Sequence, residues 1–180
     1  MKKYIILFFI FLVAGWGIYI FISNNKNDST SVGLVGRETD TTYVIDGREI
    51  TLENGLSEIE IVPGSASTLV TRYFGNSKTY DFNKDGKDDI VFLVTQNSGG
   101  SGSFFYVVTA ITTENGHSGS RGFFLGDRIA PQTTEISADG MVTVNYADRV
   151  PGESFAVSPS MGKSLRLLFN TQTMEFKEMN

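Results

Sequence analysis

Two apolar runs decide how this chain folds: residues 90–95 read Ile90-Val91-Phe92-Leu93-Val94-Thr95, and residues 104–112 read Phe104-Phe105-Tyr106-Val107-Val108-Thr109-Ala110-Ile111-Thr112. Both are rich in β-branched and aromatic side chains, which favour buried strands. The segment Gly99-Gly100-Ser101-Gly102-Ser103 lies between them and is typical of a flexible loop. We therefore predict that the two runs pair as a central hairpin.

Shorter strand-like runs lie on both sides of this hairpin. Tyr43–Ile45 and Arg48–Leu52 flank Asp46-Gly47, a strong signal for a two-residue hairpin turn. Further predicted strands cover residues 56–62, 70–74, 122–125, 133–137, 141–146, 165–169 and 174–177. Residues 41–180 contain no stretch of ten or more residues with helical periodicity. The pattern predicts one all-β domain of about eight to ten mostly antiparallel strands, either a sandwich or a partly closed barrel.

An acidic segment, residues 81–89, leads directly into the first apolar run. Oxygen-bearing side chains recur at alternate positions, glycine stands sixth and a further carboxylate stands ninth. This spacing suits calcium, which takes six to eight oxygen ligands and needs a short segment to fold around it. The predicted ligands are the side chains of Asp81, Asn83, Asp85 and Asp89 and the backbone carbonyl of Lys87. The alternative is a solvated acidic turn, because Asn, Asp and Gly also form turns.

The flanks of this loop separate it from an EF-hand, which has a helix on each side and Glu at its twelfth position. Here the twelfth position is Phe92, inside a predicted strand. An acidic loop that leads into a strand resembles the calcium repeats of FG-GAP and VCBS proteins, and the resemblance implies a calcium ion held at a strand entry. Those families build propellers from several repeats, and this chain contains no second copy of the loop.

Beyond the loop, the order of several short segments resembles an uncharacterised family of small exported or membrane-anchored bacterial proteins. The segments are Val70–Asn76, the acidic loop, Phe92–Gln96, Gly99–Tyr106, Leu125–Thr133 and Val144–Arg149. The resemblance extends over nearly all of residues 43–180. It implies a bacterial envelope protein with one soluble domain, and it implies no activity.

The N-terminus predicts a membrane anchor. Lys2 and Lys3 precede residues 4–22, which carry no charge. Nineteen helical residues span about 28 Å, the thickness of a bilayer's hydrocarbon core. The two lysines place the N-terminus inside, so that the chain crosses the cytoplasmic or inner membrane once and its C-terminal part is periplasmic or extracellular. A cleaved signal peptide is the alternative, although its apolar stretch is normally shorter.

The predicted organisation is therefore an anchor or signal peptide at residues 1–22, a polar flexible tether at 23–40 and an extracytoplasmic all-β domain at 41–180. The chain has fifteen basic and twenty acidic residues and a formal net charge of −5. Nucleic-acid binding rests on clustered basic residues, so we expect no such partner. The chain contains no cysteine, which excludes disulfides.

Catalytic residues are not evident in the sequence. The single histidine, His117, lies in a segment rich in turn residues, and a general base needs a positioned partner. Two dipeptides, Asp127-Arg128 and Asp148-Arg149, each follow a strand-like run. Because neighbouring residues of a strand point to opposite faces, we expect cross-pairing, Asp127 with Arg149 or Asp148 with Arg128. Such residues form either a salt-bridge lattice at strand ends or a polar pocket for a carboxylate or sugar.

Together these patterns predict a membrane-anchored extracytoplasmic β domain with one structural calcium site. The absence of a catalytic constellation favours a non-enzymatic module that binds an envelope protein or glycan. The alternative is a calcium-dependent hydrolase or carbohydrate-binding protein that uses the Asp/Arg residues beside Tyr73, Tyr106 or Tyr146.

Overall fold

The computed structural model describes residues 37–179, and the predicted anchor and most of the predicted tether lie outside this range. Within it, no helix is long and apolar enough to cross a membrane. The described chain forms a single 3-10 turn, Glu38–Asp40, and twelve strands. The strands are β1 Thr42–Ile45, β2 Arg48–Thr51, β3 Leu56–Glu60, β4 Thr68–Tyr80, β5 Asp89–Asn97, β6 Phe104–Thr113, β7 Gly116–Gly119, β8 Phe123–Asp127, β9 Ala130–Ile136, β10 Val142–Asp148, β11 Met161–Asn170 and β12 Glu175–Glu178.

These strands form three antiparallel sheets, so the predicted all-β class is confirmed. The largest sheet has the order β3-β4-β5-β6-β7. Strand β7 pairs with the C-terminal half of β6, and β8 pairs with its N-terminal half. A four-stranded sheet has the order β12-β11-β10-β9, and β1 and β2 form a separate hairpin. None of the three sheets closes on itself, so the partly closed barrel is not observed. The strands are also more numerous than the sequence predicts, because short runs such as Gly116–Gly119 carry no strand pattern of their own.

The predicted central hairpin is confirmed: β5 pairs with β6 from Ile90 opposite Ala110 to Gln96 opposite Phe104. Both strands are covered on both faces. One face contributes Val91, Leu93, Phe105 and Val107 to a core shared with the four-stranded sheet. The other contributes Phe92, Val94, Tyr106, Val108 and Ala110 to a core shared with the β1–β2 hairpin. Burial on both faces explains why these two segments are continuously apolar and not alternating.

The β1–β2 hairpin turns at Asp46-Gly47, as predicted. Both residues have positive φ, 48° and 77°, which a type I′ turn requires and which Asp and Gly tolerate. Tyr43 stands opposite Ile50, and both are fully buried against the six-stranded sheet. The amide of Val44 donates to the carbonyl of Ser120 at 3.1 Å, so the main chain also holds the hairpin in place.

Three local predictions are wrong. His117 lies in β7 opposite Thr112, and not in a loop, because the extended β6 supplies a pairing edge. Strand β4 extends to Tyr80, since its irregular register around Gly75 allows it to stay paired with β5 beyond the predicted end. Residues 38–40, predicted as tether, are tied to the hairpin by hydrogen bonds such as Tyr43 Oη to the Glu38 carbonyl at 2.7 Å.

Candidate functional site

The acidic loop joins the end of β4 to the start of β5 and is wound around its own side chains. Both oxygens of Asp81 accept amide hydrogens: Oδ1 from Asp85 at 3.1 Å and Oδ2 from Gly86 at 2.9 Å. Oδ1 of Asn83 accepts from the same Asp85 amide at 3.0 Å. Gly86 has φ of 86°, a conformation that favours glycine. The alternate spacing therefore turns the first two predicted ligands towards one backbone amide.

Asp85 joins the same network through both of its oxygens. Its Oδ1 accepts from the Lys87 amide at 2.9 Å, and its Oδ2 accepts from Asn83 Nδ2 at 3.1 Å. Lys84 has φ of 63°, and its ammonium donates to Tyr80 Oη at 2.7 Å. The three predicted side-chain ligands at alternate positions thus share one hydrogen-bond network.

Asp89, the fourth predicted side-chain ligand, is fully buried. Its Oδ2 accepts from the Phe82 amide at 2.9 Å and its Oδ1 from the Thr112 amide at 2.8 Å. Burial raises the pKa of this carboxyl, the amide hydrogen bonds oppose that rise, and the charge of Asp85 adds to it. The carboxylate therefore links the loop to the end of β6, a connection that the loop pattern does not reveal.

The donor set fits a hard cation, because Asp81, Asn83 and Asp85 each bring side-chain oxygens into the network. Over residues 37–179, however, no three His, Cys, Asp or Glu side chains are grouped as metal ligands. Asp88, the neighbouring acidic residue of the loop, is exposed, and its carbonyl accepts from Thr112 Oγ1 at 2.6 Å.

The second candidate site, the Asp/Arg residues, is arranged differently from the prediction. Asp127 pairs with its own neighbour: Arg128 Nη2 lies 2.7 Å and Nε 3.1 Å from the carboxylate. Strand alternation does not apply here, because β8 ends at Asp127 and Arg128 has φ of 51°. Asp148 pairs with Lys163 of β11 at 2.6 Å. The expected cross-pairing is wrong.

Arg149 lies close to this first pair without bonding to Asp127. Its Nη1 donates to the carbonyl of Arg128 at 2.8 Å, and its Nε donates to the carbonyl of Val157 at 2.6 Å. The guanidinium carbon of Arg128 lies 3.6 Å from the ring centroid of Phe155, and that of Arg149 lies 5.4 Å from it. Sequence reasoning missed Phe155, which lies in an irregular loop after β10.

Electrostatics agree with these pairings. For Asp127, partial burial raises the pKa, but the hydrogen bonds from Arg128 and Ser103 outweigh it and leave the pKa lowered. The hydrogen bond from Lys163 lowers the pKa of Asp148. The structure thus brings Asp127, Arg128 and Arg149 together and directs Asp148 to Lys163.

The three tyrosines predicted to border an Asp/Arg pocket have other partners. The ring of Tyr73 packs on Phe92, with centroids 5.1 Å apart, and Tyr146 belongs to the core between the two larger sheets. Tyr106 donates its hydroxyl to Asp46 at 2.6 Å. None of these contacts involves the Asp/Arg residues.

No protein-family model, no curated protein and no solved structure matches this chain.

Proposed function

We propose that this protein is a membrane-anchored, extracytoplasmic β domain of the cell envelope. It binds one calcium ion in the loop at residues 81–89 and acts as a non-enzymatic module that contacts an envelope protein or glycan. Within the all-β class we take the domain to be a sandwich, because one apolar core contains side chains of both larger sheets.

The observation that carries the calcium proposal is the convergence of Asp81 and Asn83 on the amide of Asp85. Each of these oxygens accepts one hydrogen bond and has a second lone pair for a cation. Burial is the main cause of the raised pKa of Asp89, and repulsion from the charge of Asp85 adds to it. A divalent cation would reduce that repulsion, so calcium would stabilise the loop and the strand that follows it.

The Asp/Arg residues support the non-enzymatic reading. Arg128 directs its donors to Asp127, and Arg149 directs its donors to main-chain carbonyls. These contacts are those of a structural lattice that holds the loop after β10. A hydrolase or carbohydrate-binding function would require these groups to release their present partners.

Thermal unfolding with and without calcium tests the calcium proposal. An ion that binds only the folded state stabilises it by RT ln(1 + [Ca]/Kd), about 2.7 kcal/mol at one hundred times Kd. Extracytoplasmic sites bind weakly, so we expect millimolar calcium to raise Tm by a few degrees and magnesium to do less. Asp81→Ala and Asp85→Ala should abolish the shift. Asp88→Ala, which removes a carboxylate from the same loop, is the matched control and should retain it.

The calcium proposal fails if calorimetry and melting of the wild-type protein show no response to calcium at several millimolar. It also fails if the Asp88 and Asp81 variants lose the shift equally, because a non-specific charge effect would then account for it.

Fractionation tests the anchor separately. The protein should stay with membranes after carbonate extraction, and external protease should release a fragment that begins between residues 30 and 38. Because residues 38–40 are bonded to the hairpin, cleavage should occur before them. A soluble mature protein with a new N-terminus between residues 14 and 26 would identify a cleaved signal peptide instead.

A further inference from the structure

The β1–β2 hairpin leaves part of the six-stranded sheet uncovered. Its strands are four residues each, and they pack on the middle of the sheet through Tyr43, Ile45 and Ile50. At the turn end of the hairpin lies a cavity of about 510 Å³. Its lining includes Asp46 of the turn and, on the sheet, Leu69, Phe104, Tyr106 and Phe124. This volume falls within the usual range for small-molecule sites, about 300–1,000 Å³.

Aromatic rings form much of the cavity wall. Phe104 and Tyr106 lie two residues apart on β6 and therefore point to the same face. The ring of Phe124, from the neighbouring β8, lies 5.5 Å from that of Tyr106 and 6.4 Å from that of Phe104. Phe124 is 50% exposed, although a strand of this sheet positions it. The cavity thus presents an exposed aromatic surface on a rigid support.

One carboxylate stands beside these rings. Asp46 accepts the hydroxyl of Tyr106 at 2.6 Å. Among residues 37–179, the acids that form ion pairs within 4.0 Å are Glu58, Asp127, Asp148 and Glu175, and Asp46 is not one of them. Among the described residues, no basic side chain contributes to the cavity lining. The cavity therefore combines a carboxylate that forms no ion pair within 4.0 Å with aromatic faces.

We propose that this cavity binds a small organic ammonium ion that carries an apolar body. The carboxylate of Asp46 would accept hydrogen bonds from the ammonium group and balance its charge. The rings would bury the apolar body, and their faces attract a cation placed over them. Charge complementarity selects this class, because an anion would meet the carboxylate unfavourably and a neutral ligand would leave it uncompensated.

The loop between β5 and β6 borders the same cavity. Ser98 contributes to the lining, and Gly102 approaches the ring of Phe104 so closely that a Cβ would lie 2.9 Å from its Cζ. Glycine at this position therefore allows the loop to rest against one wall of the site.

The test is a ligand-observed NMR titration of the full chain in mild detergent at neutral pH. Three probes share one aromatic body: 2-phenylethylammonium, 2-phenylethanol and 3-phenylpropionate. We expect saturable binding of the cation, at least fivefold weaker binding of the alcohol and weaker binding still of the acid. Titration of each probe into detergent without protein corrects for partition of the probe into micelles. Each variant is titrated in the same detergent.

Two variants with matched controls locate the site. Asp46→Asn should weaken binding of the cation about five- to tenfold. It keeps the turn, because Asn-Gly is itself a preferred type I′ turn and the amide oxygen can still accept from Tyr106. Glu49→Gln removes the same charge from the outward side of the same hairpin, opposite Val44, and should leave binding unchanged.

Phe124→Ala should weaken binding of the cation and of the alcohol alike, because both use the ring. Its control is Phe74→Ala, which removes a similarly exposed ring that contacts Phe105 on the other face of the sheet. The proposal is overturned if the cation shows no saturable binding, if the three probes bind equally, or if Asp46→Asn and Glu49→Gln have equal effects. Because calcium is absent from these titrations, their result is independent of the calcium proposal.

Discussion

The buried carboxylate of Asp89 offers the sharpest test of how the loop is attached to the domain. Asp89→Asn retains the shape of the side chain but converts one acceptor oxygen into an NH2 group. Both oxygens accept backbone amides, from Phe82 at 2.9 Å and Thr112 at 2.8 Å, so one amide then faces a donor. A hydrogen bond to a charged group contributes about 1.5–3 kcal/mol, and an unsatisfied buried donor costs about 1–3 kcal/mol.

The loss of a buried charge offsets part of this cost, because burial disfavours the ionised carboxylate. We expect a net destabilisation of about 2 kcal/mol, which corresponds to a decrease in Tm of roughly 6–10 °C for a domain of this size. The measurement is thermal and denaturant unfolding in a chelator, so that calcium does not contribute. Asp88→Asn, the same change at the exposed neighbouring position, should be within about 0.5 kcal/mol of wild type.

The pH dependence of this difference has a defined sign. The folded-state pKa of Asp89 is raised above its ordinary value of 3.8, so the folded state binds the proton more tightly than the unfolded chain. The stabilisation that comes from this tighter proton binding is present below pH 3.8 and is lost as the pH rises through the raised pKa. The stability of the wild type relative to Asp89→Asn should therefore increase on acidification. Equal Tm values for Asp88→Asn and Asp89→Asn at neutral pH would refute the proposal that the Asp89 carboxylate attaches the loop to the domain.

Two further substitutions test packing and charge. Gly119→Ala should destabilise the domain by about 1–3 kcal/mol in denaturant unfolding, because a Cβ there would overlap the carbonyl oxygen of Thr42. Gly162→Ala should be neutral, because a Cβ there meets no atom of the described residues within 4 Å. Equal effects of the two substitutions would contradict the close approach at Gly119. Lys163→Met should cost about 0.5 kcal/mol at neutral pH, since its ion pair with Asp148 is partly exposed. The Lys163 hydrogen bond lowers the pKa of Asp148, so this contribution exists above pH 3.8 and is lost as the pH falls through the lowered pKa. A cost that persists unchanged in acid would exclude the ion pair as its cause.

Some elements of the candidate sites could be read from local sequence and others could not. The spacing of Asp81, Asn83 and Asp85 predicts a loop folded around its side chains, since alternate residues and a following glycine suffice to form it. The pairing of Asp127 with Arg128 was missed, because it depends on the positive φ of Arg128. The aromatic cavity was missed as well, since Phe124 and Asp46 are distant in the chain and meet through the packing of separate sheets.

The sequence by itself determined the all-β class, the central β5–β6 hairpin and the turn at Asp46-Gly47. These features follow from side-chain preferences and turn chemistry over a few consecutive residues. Only the tertiary structure decided that β5 and β6 lie between two cores, that Asp89 reaches the amide of Thr112 and that the hairpin leaves an aromatic cavity beside Asp46. Such contacts join residues far apart in the chain, and their geometry depends on how whole sheets pack.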